Sequence, residues 1–225
     1  MSDTDSFIEE VTEEVRRDRM YGYLRRYGWI GAAVVILIVA GAAFSEYRKA
    51  QSRAQAEALG DAVLAAMAQP SAAERQTGLT GISSDTPGTQ AVLDLLTASE
   101  AQVAGDTETA VARLEAASVN SDAPEIYRQI AAFKLLTIQS DSMDPASRRQ
   151  QLEALAQPGQ PLSFLAQEQL AFLDVAEGDI DGAIQRLQSI VEAADVSADL
   201  QQRALQVIVS LGGTPDLSNL GAAGN

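Results

Sequence analysis

Lys49 and Lys134 are the only lysines in the chain, and histidine and cysteine do not occur at all. That leaves few chemistries. Thiol nucleophiles, disulfides, zinc centres of the usual nitrogen and sulfur type and histidine acid–base catalysis all lack their residues. A Ser/Lys pair would have to use Lys49 or Lys134, and no Ser-x-x-Lys spacing surrounds Lys49. Carboxylate pairs remain, but the acidic residues are scattered over polar helix faces, the pattern of a solvated surface. The expectation is therefore a protein without catalysis, with no catalytic, metal-binding or cofactor-binding residues, no cofactor and no small-molecule substrate. Charge narrows the partners further. From Glu57 onward there are 23 acidic and 8 basic residues in a chain of net charge -15, so nucleic acid is excluded and anionic headgroups repel this part. What remains is contact with other proteins, and the elements that would present it.

The first such element is an eighteen-residue run without charge, "YGWIGAAVVILIVAGAAF", Tyr27 to Phe44. A hydrocarbon core of about 30 Å needs roughly 20 helical residues at about 1.5 Å each. Apolar side chains on every face from Val34 to Val39 argue against the core helix of a soluble protein. Arg25, Arg26, Tyr27 and Trp29 at one end and Phe44 and Tyr47 at the other form the aromatic and charged flanks of a membrane interface. A cleaved signal peptide competes through Ala40-Gly41-Ala42, but its n-region would be long and acidic instead of short and basic. Arg16, Arg17, Arg19, Arg25 and Arg26 before the run outnumber Arg48, Lys49 and Arg53 after it, which predicts a cytoplasmic N-terminus.

Around the run, local patterns are helical throughout. Ser6-Phe7-Ile8-Glu9 reads as a capping box opening a short amphipathic helix with Phe7, Ile8, Val11 and Val15. Ser45 to Ala68 is rich in strong helix formers and predicts a stalk that ends at Gln69-Pro70. Ser71 to Glu74 offers another capping box. From Gln90 a regular series follows: a face of Val92, Leu95, Leu96, Ser99 and Val103, then helices opened by Pro124, by Asp144-Pro145 and by Ser197, with breaks at Gly105-Asp106, Gly178-Asp179 and Gly212-Gly213. No window alternates with period two. The tail "GGTPDLSNLGAAGN" is small and polar, and disorder is expected there.

Two segments repeat 73 residues apart: "AGDTETAVARLEAA" and "EGDIDGAIQRLQSI". Each carries Gly-Asp, an Ala four residues after the Asp, and a Leu four further on. Gly105 and Gly178 can take the left-handed conformation that ends a first helix, and the following Asp suits the positive end of a second. Ala110 and Ala183 then allow close approach, with Leu114 and Leu187 over the seam. Counting back, Ala98 and Ala171 take the small position of the first helix. Such helix pairs resemble tetratricopeptide repeats, whose period is about 34 residues; one degenerate pair, Pro124 to Gln157, fits between the two copies.

The order of the parts carries a further resemblance. A charged tail, "YLRRYGWIGAAVVILIVAGAAF", a stalk reading "EYRKAQSRAQAEALGDAV" and degenerate repeats out to about Leu211 are together similar to the YfgM-like family of bacterial inner-membrane proteins. The resemblance implies a tetratricopeptide-like periplasmic domain, and an ancillary subunit of the SecYEG translocon that works with periplasmic chaperones on exported clients. The expected fold class is all-α, a single N-terminal transmembrane helix followed by a degenerate α-solenoid of helical hairpins. The expected divisions are an acidic cytoplasmic tail over 1–26, the span over 27–45, the stalk over 46–69, the repeat domain over 70–211 and a disordered tail over 212–225. The bilayer contacts the span, and an acidic groove near Gln102 and Gln129 would receive protein partners. A coordinator of envelope or cell-division machinery, or a homo-oligomeric scaffold, is the alternative.

Overall fold

The computed structural model describes residues 3–140 and 142–216, with side chains from Arg25 onward except Tyr27. The stripe of Phe7, Ile8, Val11 and Val15 and the tail beyond Asp216 lie outside what is described. Among the described residues every regular element is a helix. By contacts the chain divides into two compact units, one ending at Asp61 and the other starting at Ala62.

The first helix, α1, runs unbroken over Asp3–Met67. Tail, span and stalk are therefore one element, without the separate amphipathic helix expected at its start. Ser6 sits inside it, past the first turn, so the Ser6–Glu9 pattern does not mark an N-terminus. No proline occurs from residue 3 to 69, so no backbone donor is lost along the way. Within the first unit Gly28 to Val39 exposes its apolar side chains on almost every face. By length and composition the stretch Gly28–Met67 is long and apolar enough to cross a membrane.

The second unit begins with the last turn of α1. Pro70 cannot continue that helix, and Ser71 restarts it as the N-cap of α2 (Ala72–Thr80). Its hydroxyl accepts from the Glu74 amide while the Glu74 carboxylate accepts from the Ser71 amide at 3.2 Å, satisfying two orphan donors at once. Gly78 brings α2 against the end of α1, since a Cβ there would fall 2.9 Å from the Ala66 Cβ. The Gly-rich stretch that reads as a break is thus a helix packed tightly enough to require the glycine.

Seven further helices follow: α3 (Pro87–Ala104), α4 (Thr107–Val119), α5 (Glu125–Ile138), α6 (Pro145–Leu155), α7 (Ser163–Glu177), α8 (Ile180–Glu192) and α9 (Ala198–Ser210). Each packs mainly on its neighbours in the chain, and α3 also touches α5. Three apolar clusters fill the seams: one from α3 to α5 around Ala98, Leu114 and Ala131, one around Leu136, Leu152 and Leu170, and one from α7 to α9 around Leu187, Ile190 and Ile208. Each fully buried leucine or isoleucine contributes about 1.5–3 kcal/mol.

The buried face of α3 is not the one its large residues suggest. Ala91, Asp94, Ala98 and Ala101 are buried, Leu95 and Leu96 are half-buried, and Val103 is 70% exposed. With α2, α4 and α5 all against it, α3 turns its smallest side chains to the closest approaches. Beyond α9, Gly212 to Asp216 return along α8, where the Asp216 amide donates to Gln188 Oε1 at 3.1 Å. The disorder expected from residue 212 therefore does not hold over these five residues.

Candidate protein-binding surface

The two Gly-Asp junctions have the same geometry. Gly105 and Gly178 have φ of 80° and 85°, a left-handed backbone that costs other residues steric strain. The Asp106 amide donates to Ala101 O at 2.8 Å and the Asp179 amide to Asp174 O at 2.9 Å, closing each first helix in a Schellman motif. Each Asp then caps the next helix: Asp106 accepts from the Thr109 amide and Asp179 from the Gly182 amide. Hydrogen bonds from Thr109, with a further one from Gln76, hold the Asp106 carboxyl below its ordinary pKa.

Below the junctions, Ala98 and Leu114 share one buried cluster, and Ala110 beside them is fully buried. Ala171, Ala183 and Leu187 share another. These residues lie in seams, so they set the spacing of helix pairs and are not themselves a surface. In the first unit Arg25, Arg26, Trp29, Phe44 and Tyr47 are exposed, and Arg48 lies over the Phe44 ring at 5.7 Å. The side chain of Tyr27 lies outside the described residues.

Several acidic residues are not the solvated surface groups their scatter suggests. Asp94, Glu168 and Asp174 are buried, and each meets arginine. Arg113 Nη1 reaches Asp94 at 3.1 Å. Arg203 grips Glu168 with two bonds of 2.6 and 2.8 Å, which raises the pKa of the guanidinium further. Asp174 sits between Arg149 at 2.8 Å and Arg186 at 3.0 Å. Burial pushes the Asp174 carboxyl up, but the hydrogen bonds and charges of Arg186 and Arg149 together hold it below its ordinary value. A buried carboxylate must be paired in this way or lose its charge. Sequence reading missed the set, although one signal was present: both repeats read Ala-x-x-Arg-Leu, so Arg113 and Arg186 occupy matching positions.

An open groove of about 340 Å³ lies where α3, α5 and the start of α7 meet. Ile130, Phe133, Ile138, Leu162 and Leu165 line it, with Gln102 at one side and Lys134 as its only charged residue. Its lining is predominantly apolar, which corrects the expectation of an acidic groove near Gln102. Gln129 is buried elsewhere, donating through Nε2 to Glu125 Oε1 and to Gln160 Oε1. Among the described residues no group of three or more potential metal-ligating side chains assembles.

The helix pairs, their Gly-Asp junctions and their small-residue seams agree with a comparison against known families. A family model described as a tetratricopeptide repeat-like domain matches residues 23–160, from the last residues before the charge-free run to the loop after α6. No curated protein and no solved structure matches the chain. Since the match covers more than half of the sequence, the chain belongs to the tetratricopeptide repeat-like domain family.

Proposed function

We propose that the protein is a membrane-anchored protein–protein interaction module of the bacterial inner membrane, with its N-terminus in the cytoplasm and its helical repeats in the periplasm. The observation that carries the reading is the groove between α3, α5 and α7, where apolar side chains surround the lone Lys134. Concave, mostly apolar sites with one or two fixed polar groups are the usual form of a binding site. An apolar segment of another protein would bury its side chain there and meet Lys134 with an acceptor. The exposed charge-free helix supports the anchor, because apolar side chains on all faces need a lipid or protein surround. The resemblance to YfgM-like proteins supports the finer assignment, an ancillary subunit of the Sec translocon that hands exported chains to periplasmic chaperones.

A photo-crosslinking residue at Val34 or Ile38 should capture a translocon subunit, and one at Gln102 should capture exported clients or soluble chaperones. Client adducts should fade when export is blocked. Capture of division or cell-wall proteins alone would replace this reading with the envelope coordinator, and self-adducts alone would replace it with a homo-oligomeric scaffold.

A further inference from the structure

A second cleft, of about 610 Å³, opens between α6 and α8 over a floor made by α7. It differs from the groove in chemistry. Gln157, Gln167, Gln185 and Ser189 line it together with Arg149 and Arg186, so its walls are amides, a hydroxyl and guanidinium groups. Each amide offers a donor and an acceptor at once, which is what the main chain of an extended polypeptide requires.

Arg186 is the focus of the cleft. Its Nε donates to the buried Asp174 at 3.0 Å, which fixes the plane of the guanidinium. Among the described residues neither of its Nη groups meets an acceptor. Arg149 differs, because its two Nη groups are taken by Asp174 and Glu177 at 2.8 and 2.9 Å. Gln167 has its oxygen turned to the Ser189 hydroxyl at 3.5 Å, which leaves its amide nitrogen free. The cleft thus holds a pre-oriented guanidinium fork with open donors, flanked by a free amide donor. A fork of this kind matches one carboxylate in bidentate geometry. Glu153 also lines the cleft, and Asp179 beside it is occupied as the cap of α8. Those two charges disfavour acid-rich segments, so selectivity lies in presenting one carboxylate and no more.

We propose that the cleft between α6 and α8 is a second docking site, taking an extended polar segment of a partner protein that presents a single carboxylate to Arg186. The site shares with the groove around Lys134 only the premise that this fold docks polypeptides.

The test uses the full chain in detergent micelles and a fluorescent, doubly capped hexapeptide, Ser-Ala-Asp-Ala-Gln-Ser, with its Asn counterpart as reference. Fluorescence polarisation should show the Asp peptide binding about tenfold more tightly than the Asn peptide, the scale of one charge-assisted pair. Gln167→Glu keeps every ion pair and adds a repelling charge; it should weaken the Asp peptide about tenfold with an unchanged circular dichroism spectrum. Arg186→Gln should remove the preference for Asp. Lys134→Glu should leave binding as it is, whatever becomes of the apolar groove. Equal binding of the two peptides, or full binding by Gln167→Glu, would overturn the proposal. So would loss of binding in Lys134→Glu, which would put the peptide in the groove, or displacement by free acetate at millimolar level, which would make the site one for small carboxylates.

Discussion

Asp174→Asn tests whether the buried carboxylate organises the α6–α8 region. The carboxylate is 6% exposed and binds Arg149 and Arg186; the amide that replaces it can accept through one oxygen only and carries no charge. Breaking a buried ion pair from one side costs about 3–5 kcal/mol. Here Arg149 and Arg186 keep 23% and 32% of their side-chain surface, so water can re-solvate their freed donors, and the lower end, about 3 kcal/mol, applies. For a unit of this size each kcal/mol moves the melting temperature by about 2–4 °C, which gives about 6–12 °C. Thermal circular dichroism of the full chain in micelles measures it, with Asp195→Asn, an exposed site, as the control within about 0.5 kcal/mol. The pH dependence fixes the cause. Since the folded pKa of Asp174 is depressed, its contribution is present above the unfolded value of about 3.9 and is lost as pH falls through the lower folded value. The gap between wild type and Asp174→Asn should therefore be constant from about pH 5 to 8 and narrow below about pH 4. Equal melting of the two Asn variants at pH 7 would refute the argument.

Ala183 is fully buried in the α7–α9 cluster whereas Gln185 is exposed, so Ala183→Leu should destabilise by about 1–3 kcal/mol through overpacking and Gln185→Leu should be nearly neutral; equal melting temperatures would refute the packing register. Gly178→Ala places a Cβ on a residue at φ 85° and should cost about 1–2 kcal/mol, with Gly81→Ala, at φ -76°, as the mild comparison in the same melting assay. For topology, Ser2→Cys and Ser218→Cys each give one thiol in a chain that otherwise has none; a membrane-impermeant maleimide applied to spheroplasts should label position 218 and spare position 2, and the opposite pattern would reverse the orientation.

Features with local causes were legible. A Gly-Asp pair between two helical patterns needs no tertiary information, because the left-handed turn and the cap are both set within six residues. The same holds for the stop at Pro70 and the capping box at Ser71. The face of α3 was hidden because the largest apolar residues normally mark the core, and here crowding from three neighbours reserves the seam for Ala91, Ala98 and Ala101. The buried carboxylates were hidden for another reason: Glu168 finds its arginine 35 residues later, beyond any helical period. The groove around Lys134 could not be read either, since Gln102, Phe133 and Leu165 come from three different helices. The continuity of α1 was half legible, in its helix formers, but punctuation by apparent caps divided it.

The groove and the proposed anchor are matched in strength. Burying one large apolar side chain against Phe133 and Leu165 contributes about 1.5–3 kcal/mol, and one charge-assisted hydrogen bond to Lys134 adds about 1.5–3 kcal/mol. Ordering a flexible segment takes back part of that sum. What remains is near the 4 kcal/mol of a millimolar complex, too weak for capture from dilute solution. Tethering to a membrane site where partners emerge raises the effective concentration into the millimolar range, where such a groove is half occupied. Exchange then stays fast, so a segment held this weakly is released without any chemistry, which a chain lacking histidine and cysteine would be poorly equipped to perform.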